Sequence, residues 1–288
     1  TRSAGLEMMR KLQTDMPELA SLVSVRPIAA EKIQAGIKPD EALIEYFYTE
    51  NDFYAFVVTQ EKIRAVTLEE KGLAGEVRQF REALEDPDSP RYADLAGTLH
   101  RKLIEPLGSL DRSKLIIVPH GILHYLPFHA LRSEKGFLID RYSIRYLPSA
   151  SVMEFLARRE ASPAPKLMAI GNPDLEGRKA PLAFAENEAR AVAEAFPEST
   201  VAVRNEATES LFKQAGGHFD YIHLATHGVF DPVNPLHSGL LLAEDGSNDG
   251  ILTAEELYSV NLEADLVTLS ACETGLAQVA NGDDLVGL

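Results

Sequence analysis

The chain of 288 residues has a single cysteine, Cys272, and no tryptophan. One cysteine excludes an internal disulfide and fits a reducing compartment, so a cytoplasmic location is expected. Basic residues are few: 28 Lys and Arg stand against 44 Asp and Glu, a net charge of −16. That balance argues against nucleic acid or an anionic membrane as a general partner. No apolar run reaches the roughly 18 residues of a membrane span, and no secretory signal is visible. Internal repeats and low-complexity tracts are also missing. What remains is an ordinary globular composition, 45% apolar and 25% charged, able to bury one large core or two smaller ones.

Three regions follow from the pattern along the chain. In residues 1–75, Leu6, Met9 and Leu12 stand at helical spacing before Pro17 and predict a connector helix. Ala42–Tyr48, Phe53–Thr59 and Ile63–Leu68 are short β-rich runs separated by polar residues, which predict an antiparallel meander. In residues 76–160, Val77, Phe80 and Leu84 share one helical face, and Tyr92, Leu95, Leu99 and Leu103 share another. Leu115–Val118 reads as a buried strand ending at His120-Gly121. Ser151 and Glu154 have the spacing of a capping box. The linker Ala161-Ser162-Pro163-Ala164-Pro165 opens the third region, residues 161–288. Here Leu167–Ile170, Val201–Val203, Tyr221–Ala225 and Leu266–Leu269 read as strands alternating with helical patterns. Thr208 and Thr253 are the predicted helix caps. The two α/β segments form a pseudo-repeat, since each ends a strand at a His-Gly pair.

Alternating strands and helices imply a largely parallel sheet, whose reactive crevice lies beyond the carboxyl ends of its strands. His227 and Cys272 each follow such a strand, so both are expected on the same edge. A thiol and an imidazole together are the minimum for nucleophilic catalysis. Cys272 is then the nucleophile and His227 the general acid and base. Against this stand a buried apolar cysteine and a loop histidine bonded to a carbonyl. Gly228, without a side chain, allows a backbone N–H close to a reacting carbonyl; with the N–H of Cys272 it makes an oxyanion hole. A helix opening after Cys272 would add its positive dipole end to the thiolate.

Other motifs carry less. A zinc site of His223, His227, His237 and Cys272 fails, because positions 223 and 227 do not share a helical face. His120, His124 and His129 read as structural. Gly171-Asn172-Pro173 lacks the rest of a phosphate loop, and Ser270 lacks the Gly-x-Ser-x-Gly surroundings of a serine nucleophile.

The segments HLATHG (223–228), SGLLLAEDG (238–246), LTAEELY (252–258) and LSACETG (269–275), with IVPHGILHYLPFHAL (117–131) and YLPSAS (146–151), resemble the CHAT domain. This family comprises caspase-like and separase-like cysteine proteases, often fused to TPR arrays. The resemblance covers residues 95–288. It implies an α/β fold of the caspase-like three-layer type with a largely parallel sheet, preceded by a helical connector and a small antiparallel meander. It implies a catalytic dyad at His227 and Cys272, 45 residues apart, near the roughly 50 of caspases. The implied function is a cysteine endopeptidase acting on a protein substrate, with no metal or organic cofactor. An upstream TPR-type sensing array, whose end would be residues 1–75, would gate it through a regulatory partner. Glu273, Asp283 and Asp284 are candidate substrate-binding residues; the aspartates alternatively cap a following helix. The alternative function is a non-catalytic interaction module of the same fold. A chain that starts at Thr1 and stops sixteen residues past Cys272 is expected to be a fragment, its catalytic segment incomplete at the C-terminus.

Overall fold

The computed structural model describes residues 28–49, 52–86, 88–156, 162–215, 217–231, 233–272, 277–279 and 285–287. The connector helix expected in residues 2–20 lies outside them. The chain divides into two compact units, with the boundary between Arg158 and Arg159.

In the first unit, helix α1 (Ala30–Gly36) precedes strands β1 (Glu41–Tyr48), β2 (Phe53–Val58) and β3 (Ile63–Thr67). Helices α2 (Leu73–Glu85) and α3 (Tyr92–Leu103) lead to β4 (Lys114–Val118), the short pair β5 (Arg132–Ser133) and β6 (Gly136–Phe137), β7 (Ser143–Tyr146) and α4 (Met153–Leu156). The strand order is β3-β2-β1-β4-β7. The meander is antiparallel as predicted, whereas β1 pairs with β4, and β4 with β7, in parallel. The sheet therefore runs across residue 75. Alternate residues of β1 and β4 enter two cores. Ile44, Tyr46, Leu115 and Ile117 meet Val77 and Phe80 of α2 and Leu99 and Leu103 of α3. Leu43, Ile116 and Val118 meet Ile37, Leu147 and Met153 on the other face. Strands covered on both faces need nearly continuous apolar runs, which these segments supply. The Tyr46 hydroxyl donates to the Leu103 carbonyl at 3.0 Å, fixing the end of α3 to the sheet.

The second unit contains β8 (Lys166–Pro173), α5 (Ala185–Glu194), β9 (Glu198–Arg204), α6 (Glu209–Gln214) and β10 (Tyr221–Ala225). Then come β11 (Gly228–Val229), β12 (Gly239–Leu241), β13 (Ile251–Thr253), α7 (Ala254–Leu257), β14 (Leu266–Ser270), β15 (Ala277–Val279) and β16 (Leu285–Gly287). Four strands form a parallel sheet in the order β14-β10-β8-β9, and β11-β12-β13 form an antiparallel one. One face of the parallel sheet packs Ile170, Ile222 and Leu224 on Phe212 of α6. The other packs Leu167 and Ala169 on Ala189 and Ala193 of α5. The Thr208 hydroxyl accepts from the Leu211 N–H to cap α6, and Thr253 with Glu256 completes a capping box on α7.

In the 3-10 turn before α4, Ser149 accepts from the Ser151 N–H. The helix expected to be capped by Asp283 and Asp284 is instead strand β16, paired antiparallel with β15. The flanking Val279, Leu285 and Val286 are strand formers, and Asn281-Gly282 between them is a hairpin signal. Strand β14 has only one neighbour among the described residues, so Leu266 is 53% exposed and Val267 37%.

Candidate active site

Strand pairing decides where His227 and Cys272 lie. β10 and β14 are adjacent and parallel, with Ala225 opposite Ser270. One further bond, from the Thr226 N–H to the Ser270 carbonyl at 3.3 Å, carries the pairing past the end of β10. His227 and Cys272 each follow the last register pair by two residues. Both therefore follow the carboxyl ends of two adjacent parallel strands. Cys272 is exposed and is a free thiol; His227 is half-buried.

A third segment reaches His227 from β8, the other neighbour of β10. The loop 174–184 follows β8 and brings the Ala180 carbonyl to 2.8 Å from His227 Nε2. A carbonyl only accepts, so Nε2 carries the proton. In the neutral ring this leaves Nδ1 as the basic nitrogen. The loop is held at both ends. Asn172, in the left-handed region at φ 47, accepts from the Leu182 N–H at 2.9 Å. Arg178 donates to the carbonyls of Leu175, Leu242 and Asp249, and its guanidinium lies 3.5 Å from Glu244. Sequence reasoning missed Asn172, Arg178 and Ala180. Asn172 carried a signal, an Asn between Gly and Pro at a strand end, but the residue acting on His227 contributes only a backbone carbonyl.

Gly228 starts β11, opposite Leu240. The Leu241 N–H donates to the His227 carbonyl at 2.8 Å. Antiparallel ladders alternate bonded and non-bonded pairs, so Gly228 and Leu240 form a non-bonded pair. The Gly228 N–H therefore points away from β12, at the edge of the three-stranded sheet. Thr226, fully buried, donates its hydroxyl to the Leu241 carbonyl and fixes the turn between β10 and β11.

The remaining candidates are placed as follows. His223 is buried in β10 and its Nε2 meets Glu188 of α5 at 2.9 Å, a structural pair. His237 contacts Asn234, and its Nε2 is 3.9 Å from Glu255. In the first unit His120 packs edge-on against the rings of Phe47 and Tyr48. Glu273, Asp283 and Asp284 lie outside the described residues. Among the described residues no three His, Cys, Asp or Glu side chains converge as metal ligands.

Comparison with protein families matches residues 93–288 to the CHAT domain, more than half of the chain. None of the curated proteins compared matches it. With an α/β fold, a four-stranded parallel sheet and a preceding helix and meander, the chain belongs to the CHAT domain family, a family of caspase-like domains.

Proposed function

We propose that the protein is a cysteine endopeptidase in which Cys272 attacks a peptide carbonyl and His227 manages the protons. The observation that carries this reading is the β10–β14 register, whose last pair, Ala225 and Ser270, lies two residues before His227 and Cys272. Family membership supports it, as does the Ala180 carbonyl on His227 Nε2. In the proposed reaction His227 Nδ1 takes the thiol proton, and the thiolate adds to the carbonyl carbon. The tetrahedral oxyanion is stabilised by the Gly228 and Cys272 N–H groups. As the C–N bond breaks, the imidazolium returns the proton to the leaving amine, giving an acyl-enzyme that water hydrolyses with the same imidazole as base. Ala180 keeps the proton on Nε2, so that Nδ1 is the nitrogen that exchanges protons. Glu273, Asp283 and Asp284 are proposed to contact substrate, and a partner of an upstream array is proposed to gate the site.

Because Cys272 is the sole cysteine, iodoacetamide reports on it alone. A thiol of ordinary pKa is only a few per cent ionised at pH 7, so an ion-paired thiolate should label about tenfold faster than the urea-unfolded chain. His227→Ala should return the folded rate to the unfolded one. A native rate no faster than the unfolded rate would overturn the endopeptidase reading and leave a non-catalytic interaction module.

A further inference from the structure

A group of cations in the first unit takes no part in this chemistry. Lys62, Arg64 and Arg112 line a chamber of about 70 Å³, together with Thr59 and Asp111. Arg64 donates from one terminal nitrogen to the Leu107 carbonyl at 2.8 Å. Arg112 donates to Glu61 at 2.9 Å and to the Asp111 carbonyl at 3.1 Å. The Nε atom of each arginine is buried and has no hydrogen-bond partner. A buried guanidinium N–H without an acceptor is unfavourable, and native folds rarely leave one. The Nε edge is also one by which arginine grips an oxyanion with two parallel bonds.

Charge points the same way. Three cations meet at the chamber against two carboxylates, Glu61 paired with Arg112 and Asp111 accepting from the Ser109 hydroxyl. This is a local excess of positive charge in a chain of net charge −16. The 109–112 segment that walls the chamber also borders a cleft of about 860 Å³, lined further by Asp40, His100, Glu105, Lys135, Arg141 and Tyr142. That size is typical of sites for small molecules. The C-terminal end of α3 also borders the cleft, and helix carbonyls there disfavour an anion. The anionic group is thereby directed to the arginines and the rest of the ligand to the cleft.

We propose that the first unit binds a phosphorylated small molecule of nucleotide size, its phosphate between Arg64 and Arg112 and its body in the adjoining cleft. The inference is independent of the proposed protease chemistry, and a Cys272→Ser protein should bind equally well. Calorimetric titration of the whole chain at constant ionic strength, with pyrophosphate and separately with ATP, tests it. Both should bind saturably at one site, ATP the tighter. Arg64→Lys and Arg112→Lys keep the charge but lose the Nε–H, and each should weaken both probes about tenfold. Lys62→Ala, at an exposed position, should weaken both several-fold and keeps the test decisive if an arginine variant fails to fold. Absence of saturable binding, meaning that buried water alone meets the two Nε groups, would overturn the proposal. So would equal affinity in all variants, the mark of non-specific ion binding, and pyrophosphate binding as tightly as ATP would overturn the placement in the cleft.

Discussion

Ala180 contributes a single carbonyl oxygen, yet it determines which nitrogen of His227 is basic, and that carbonyl is only as well placed as its loop. Asn172 holds the loop by two means. Its backbone sits at φ 47, a region that asparagine tolerates better than most residues, and its Oδ1 accepts from Leu182. Asn172→Ala removes the acceptor and puts a less tolerant residue in the left-handed region, an expected loss of about 1–3 kcal/mol. On the proposed chemistry the iodoacetamide rate of Cys272 should also fall, by about tenfold, since small misplacements of catalytic groups are costly. Urea unfolding and thiol labelling of the same sample separate the two effects. Reduced stability with an unchanged labelling rate would show that the loop does not position His227. This arrangement also marks the limit of sequence reading at the site. His227, Cys272 and Gly228 are visible because their side chains, or the lack of one, have chemical meaning. A carbonyl on another segment leaves no trace in residue type.

Gly171 shows a similar dependence between elements. It lies in β8 where α5 crosses, and a Cβ placed there would be 2.5 Å from the Ala185 carbonyl oxygen and 2.7 Å from the Ala189 Cβ. The strand and helix approach this closely only without a side chain. Gly171→Ala should destabilise the second unit by about 1–3 kcal/mol through overpacking. Gly246→Ala, where a Cβ would meet nothing within 4 Å, should change stability little. Equal denaturation midpoints for the two variants would show that α5 moves away at no cost. The elements themselves were largely legible. Apolar runs marked β4, β8 and β10, short β-rich runs between polar residues marked the meander, and Thr253 with Glu256 marked α7. Their partners were not. β1 pairs with β4, Glu41 opposite Lys114, across two intervening helices, and no local pattern announces such a pairing. The apolar run of β14 marks a strand but not its place in the sheet, because composition registers a strand's preference and not how many neighbours it has. Past Asp284 the strand formers Leu285 and Val286 make strand β16 rather than a helix.

The whole molecule responds to acid as the sum of its carboxylates, and the two kinds pull in opposite directions. Backbone N–H groups of Ser247 and Ser210 hold Asp245 at about 2. Burial works to raise Glu256, but the Thr253 N–H, the Lys213 ammonium and the Thr253 hydroxyl outweigh it and bring Glu256 to about 2. Lys114 lowers Asp40, and the N–H groups of Asn234 and Val233 lower Asp231. Burial raises Glu45 and Glu209. A carboxylate lowered by folding binds fewer protons in the native state than in the unfolded one. Its stabilising effect is complete above its unfolded value and is lost as pH falls through its folded value. Glu45 and Glu209 behave oppositely, since their protonation relieves a penalty, and they offset the early part of the loss. Stability should therefore fall gently below about pH 4.5 and more steeply toward pH 2, following the ordinary carboxylate values and the two lowest groups. Glu256→Gln isolates one contribution, because glutamine can complete the same capping box without titrating. The variant should be less stable than the parent at pH 7, and the difference should close as pH approaches 2. Urea unfolding followed by circular dichroism at pH 2, 4.5 and 7 measures this. A gap of constant size across that range would show that Glu256 contributes through its shape and not through its charge.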